Sequence, residues 1–129
     1  FPSFVEQNGM GNTGDHLAAL LAAREQVRRQ PDDPLARFEV VKWLYALHRL
    51  DAVIEEMEAM QKAFPAFSEE RKLAEKMAAI QVIKSMPDLL ATPSDRQEDY
   101  DRLMEALRAV GDSTRAQLVE AERSRRFGP

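Results

Sequence analysis

From residue 15 onward, apolar positions recur at spacings of three and four, the period of helices buried on one face. Leu17, Leu20, Leu21 and Val27 form a first stripe, with Asp15 placed as its N-cap. Pro31, Asp32, Asp33 and Pro34 end that helix and start the next, with Asp33 as cap and Pro34 in the first helical position. Leu35, Phe38, Val41, Leu44 and Tyr45 carry the second stripe to a break at His48–Leu50. Asp51 then caps a helix with Val53, Ile54, Met57 and Met60 on one face, closed by Pro65. Ser68 is expected to cap a longer helix through Leu73, Met77, Ile80 and Ile83 to Pro87, with Glu69 and Glu70 in its first turn. A connector over 87–93 holds one turn at Asp88–Ala91. Ser94 and Gln97 fit a capping box ahead of Tyr100, Leu103, Met104, Leu107 and Val110, and Gly111 is a stop. Asp112 caps a last helix to about Phe127. No segment alternates with period two, so the pattern predicts an all-α chain of six main helices.

Residues 1–13 show no helical period and read as a flexible arm or linker; residues 14–129 form the helical domain. The first residue is Phe1, not Met, which reads as a processed chain or a fragment. With 44% hydrophobic and 31% charged residues, the composition is that of a soluble globular domain. The net charge of −4 gives no support to a general nucleic-acid binder. Cys is absent and His occurs twice, which removes thiolate chemistry and leaves little for a His-based cluster. No apolar run is long enough to span a membrane, and no secretory signal is visible. The compartment stays open between cytoplasm and periplasm. Heavy use of Ala and Arg over Lys suggests a GC-rich bacterial source.

The chain also repeats itself. Pro31 and Pro65 lie 34 residues apart, and the same offset pairs Ala18 with Ala52, Leu20 with Ile54, Arg28 with Lys62, Arg37 with Arg71 and Lys42 with Lys76. Gly14-Asp15 recurs as Gly111-Asp112, and in that frame Ala19, Leu21, Glu25, Arg28 and Arg29 match Ala116, Leu118, Glu122, Arg125 and Arg126. That second offset is 97, five short of three such periods, so the period is lost around Pro87–Ser94.

Pro34-Leu35-Ala36-Arg37-Phe38-Glu39-Val40-Val41, Leu44, Arg49-Leu50-Asp51-Ala52-Val53-Ile54, Met57, Met60 and Pro65 resemble the tetratricopeptide repeat, a pair of antiparallel helices about 34 residues long. The segment from Gly14 to Pro31 is similar to the second helix of a preceding repeat, and Gln97 to Gly128 to a degenerate third one. Val41 stands where the family has a small residue, and His48 where it has the inter-helix Gly. The resemblance implies a short right-handed stack of helix pairs, since one pair cannot bury its apolar face alone. It places Phe38, Lys42 and Tyr45 on the concave wall, with Lys72 and Lys76 from the next helix. Such a wall is a basic groove with two aromatic platforms, suited to an acidic or C-terminal peptide. Read from periodicity alone, Phe38 and Tyr45 are core and the lysines a solvated face. Phe38 and Lys42 replace the Lys and Asn of the family's carboxylate clamp, which argues against a chaperone C-terminus as ligand.

Trp43 sits one step off the main stripe, either an interface anchor or packing for the Asp15–Gln30 helix. Met57, Met60, Met77 and Met104 serve as an adaptable surface or, at helical spacing, as core. His16 and His48 lack a third ligand for a metal. Asp95, Glu98, Asp99 and Asp101 lack calcium-loop spacing and suit a helix N-terminus. Arg123, Arg125 and Arg126 form a basic helix end. No phosphate loop, nucleophile elbow or paired His and carboxylate is present. The expectation is a non-catalytic adaptor or assembly factor that holds a partner's peptide or helix, without cofactor or metal. Its alternative is a structural subunit of a larger, membrane-associated or soluble complex, or a homodimer, with its apolar surface covered by another chain.

Overall fold

The computed structural model describes residues 13–128, and all regular elements among them are helices. They are α1 (Thr13–Arg29), α2 (Pro34–Ala46), α3 (Leu50–Ala63), α4 (Pro65–Glu70), α5 (Leu73–Ser85), α6 (Gln97–Ala109) and α7 (Ser113–Phe127). The all-α expectation holds, with seven helices among the described residues where six were expected. The arm expected over residues 1–13 falls outside the described residues except for Thr13, which already opens α1; Asp15 is therefore a first-turn acid and not its cap.

Local chemistry sets the other ends. The Leu35 amide donates to Asp33 Oδ1 at 3.0 Å, and Pro34 takes the first helical position as expected. Helices α2 and α6 end alike. Arg49 N donates to Leu44 O (2.9 Å), and Asp112 N to Leu107 O (2.8 Å), each across a residue with left-handed backbone. That residue is Gly111 (φ 79°) in one turn and His48 (φ 57°) in the other. A glycine adopts this conformation freely; His48 does so at a cost of about 1–2 kcal/mol. The turn leads straight into α3 at Leu50, so Arg49 is the N-cap and Asp51, expected as the cap, instead pairs with Lys84 of α5. Asp112 does cap α7, its Oδ1 accepting from Arg115 N. Ser94 forms no box with Gln97: its hydroxyl accepts from Arg96 N and donates to Asp99 Oδ2 at 2.6 Å, and α6 starts after Arg96.

The main departure lies at 65–73. Pro65 follows the end of α3 at Ala63, as expected, and also starts α4, and Ser68 is buried within that six-residue helix where a cap was expected. Lys72 then takes a left-handed conformation (φ 56°), and α5 begins at Leu73. A straight helix would set Phe67 and Leu73 about 120° apart. The break lets Leu73 reach the core fully while Phe67 packs against its edge.

Neighbours in sequence are neighbours in space: α1 packs on α2, α2 on α3, α3 on α4 and α5, α5 on α6, and α6 on α7. One core runs through α1–α5 around Leu20, Val41, Leu44, Val53, Met57 and Ile80, and takes in Ala106 and Val110 of α6. A second joins α6 and α7 around Tyr100, Leu103, Leu107 and Val119, closed by Leu89 from the connector. Ile83 touches both. The Tyr45 hydroxyl crosses from α2 to donate to Asp112 Oδ2 at 2.7 Å, fully buried at the start of α7.

Candidate functional site

The residues expected to line one basic wall do not assemble into it. Phe38 and Tyr45 are each 2% exposed and Lys42 only 3%, so all three belong to the core face of α2. Phe38 meets the Phe67 ring edge-on at 6.1 Å, and Tyr45 is engaged with Asp112. The aliphatic stem of Lys42 is buried and its ammonium ends on Glu39 Oε1 at 2.9 Å, an i,i+3 pair on the same helix. Lys76, one repeat period further on, is also tied down: its ammonium donates to Arg71 O at 2.7 Å. Burial pushes the Lys76 ammonium below the usual lysine range; Glu75 opposes this, and Arg71 and Lys72 add to it. Trp43 is half-buried, its ring 5.7 Å from that of His16 on α1, so it serves the α1–α2 contact. Lys72 remains exposed. The case for an acidic partner rested on three lysines sharing a wall, and two of them, Lys42 and Lys76, are engaged within the chain.

Other candidates resolve similarly. Met57, Met60 and Met104 are core, with Met77 at its edge. Arg123 pairs with Asp101, Arg125 with Glu122 and Arg126 with Asp95, so the basic helix end is balanced by acids. Arg37 and Arg71, one period apart, each lie over a phenylalanine ring, Phe64 at 5.9 Å and Phe67 at 5.3 Å. Among the described residues no group of three His, Cys, Asp or Glu could hold a metal.

Hollows lie between α1 and α2 beside Trp43 and beside Arg37, and two more lie along α5. At one end the α4–α5 break makes a hollow of about 380 Å³ between Gln61 of α3, Pro65 and Ser68 of α4, and Lys72 and Glu75 of α5. At the other, α5 and α6 diverge around a groove of about 460 Å³. Its floor is Ala78, Ala79 and Val82 from α5 with Ala106 and Ala109 from α6, and Arg102 and Glu105 stand at the rim. Glu75 lines both hollows, which flank its side chain. Small side chains explain the groove: where two helices meet through alanines, no long side chain fills the space above the seam.

Of the expected site residues, only Lys72 lines the hollows along α5. Ser68, read as a cap, and the alanines, which carry no chemistry of their own, went unnoticed. Their available signal was the run Ala74, Ala78, Ala79 and Val82 at helical spacing between polar residues. A scan against protein-family models and searches of curated proteins and of solved structures find no match to this chain.

Proposed function

We propose that this protein is a non-catalytic, tetratricopeptide-like interaction module that holds a helix of a protein partner along α5. The observation that carries the reading is the α5–α6 groove with its apolar floor and mixed charged rim, flanked across Glu75 by the hollow at the α4–α5 break. Such a surface suits a helix presenting leucine-sized side chains at i, i+4 and i+7. Packing of each helix on its neighbour in sequence, and the shared left-handed closure at His48 and Gly111, support the repeat-like stack. Among the described residues no helix is long and apolar enough to cross a membrane.

Site-specific photo-crosslinking in the source cell tests this. A photoreactive residue at Ala78 or Ala109 should yield one discrete adduct with another protein. The same residue at exposed Gln117, on α7, should not. Equal labelling from all three positions, or none from Ala78 and Ala109, refutes the placement.

One observation favours a structural subunit covered by another chain. Leu17 (41% exposed) and Leu21 (61%) form an apolar face on α1 together with exposed Ala18 and Ala22. Sedimentation of the purified chain separates the readings: a monodisperse monomer supports the adaptor, and self-association lost in Leu17→Glu, Leu21→Glu supports the covered face.

A further inference from the structure

Leu17 to Ala23 is an unbroken apolar run in the first half of α1. A helix that is apolar all round is normally covered all round. Only Leu20 and Ala23 of this run enter the core, while Leu17, Ala18, Leu21 and Ala22 stay exposed. The α5–α6 groove has the converse shape, an alanine floor with no side chain standing in it. Its walls run over 75–82 on one helix and 102–109 on the other, each a rise of about 10.5 Å. Leu17, Leu21 and Arg24, at i, i+4 and i+7, span the same rise of about 10.5 Å. Charge agrees as well. The groove carries two acids, Glu75 and Glu105, and one base, Arg102. The second half of α1 carries three exposed bases, Arg24, Arg28 and Arg29, and one acid, Glu25.

Resting on the reading that the α5–α6 groove takes a helix, we propose that its occupant is α1 of a second copy of this chain. Leu17 and Leu21 of one copy lie on the alanine floor of the next, and the bases that follow them face Glu75 and Glu105. Within one copy α1 is held against α2 and is not packed on α5 or α6, so the contact forms only between copies. An α1–α1 pair would instead bring together two faces that each carry the basic excess, and would leave the groove empty. The two joined patches differ, so the contact is heterologous: each copy keeps a free α1 at one side or an open groove at the other, and copies join head to tail.

Sedimentation velocity of the full chain tests this with two double substitutions. Leu17→Glu, Leu21→Glu spoils α1, and Ala78→Arg, Ala109→Arg spoils the groove. All four side chains are exposed, so both proteins should keep their thermal melts, and Ala109→Arg alone replaces the groove pair if that melt collapses. The wild type should self-associate increasingly with concentration, and each altered protein alone should be a monomer. Mixed together, the two should form a 1:1 dimer and go no further, because one intact α1 and one intact groove remain to meet. Glu75→Lys, Glu105→Lys should weaken the wild-type association several-fold. A wild type that is monomeric at every concentration overturns the second copy and leaves the groove for the helix of another protein; if a photoreactive residue at Ala78 also captures nothing, the groove reading falls with it. Association lost on spoiling α1 but kept on spoiling the groove overturns the docking in favour of α1–α1 pairing. Two monomeric proteins that form no dimer when mixed overturn it too, as does association indifferent to the charge reversal.

Discussion

Tyr45→Phe separates an aromatic platform from a buried clasp. The substitution removes one oxygen and leaves the ring in place. The lost bond is the 2.7 Å donation to Asp112 Oδ2, between groups 2% and 0% exposed. A hydrogen bond to a charged acceptor contributes about 1.5–3 kcal/mol, and the carboxylate left behind cannot recover it from water. Asp112 still caps α7 through Arg115 N, so the loss should be that bond and not the helix start. For a domain of this size each kcal/mol is worth about 3–5 °C, so the melting temperature should fall by roughly 5–15 °C. Urea denaturation at neutral pH gives the magnitude, and the same measurement against pH checks its origin. Burial, and next the Asp112 carboxylate, push the Tyr45 hydroxyl well above its ordinary range. The unfolded chain releases that proton near pH 10 while the folded chain keeps it. The contribution of Tyr45 is therefore whole below about pH 10 and declines as pH rises above it, more steeply in the wild type than in Tyr45→Phe. An unchanged urea midpoint, or parallel alkaline profiles, would refute the clasp and return Tyr45 to the surface.

Leu44→Ala and Ile54→Ala should each cost about 2–5 kcal/mol in urea denaturation, because both side chains are buried in the larger core. Lys42→Glu should destabilise by about 2–4 kcal/mol, since it sets a buried carboxylate beside Glu39; a charge change on an open groove wall would leave the midpoint alone. His48→Gly should raise stability by about 0.5–1 kcal/mol by relieving the left-handed backbone, net of the entropy glycine adds to the unfolded chain, and a loss would mean that the imidazole itself holds the turn.

Much of the helical order was legible because its signals are local. Asp33-Pro34 and Gly111-Asp112 announce helix ends through chemistry confined to a few residues, and the structure uses both pairs as read. The α4–α5 break has no such signal. Arg71 and Lys72 are ordinary helix formers, and the apolar period from Ser68 to Ile83 can be read through them. What stops the helix is tertiary, the joint demand of Phe67 and Leu73 for the same core. Pro65 was read only in part for a related reason: it ends α3, and that it also begins a helix depends on the chain beyond it.

The candidate site was harder to read because a spacing of three and four fixes a face without saying what stands opposite. Phe38 and Tyr45 carry aromatic rings, and Lys42 and Lys76 recur one period apart, so chemistry gathered where the repeat placed its wall. Those same side chains are the ones most able to satisfy themselves within the fold, through Phe67, Asp112, Glu39 and the Arg71 carbonyl. A residue long enough to reach a partner is also long enough to reach its own neighbours. The open surface is made instead by what cannot reach: alanines on α5 and α6. Such residues become a surface only once a second helix is set beside them, and that placement is a product of the whole fold.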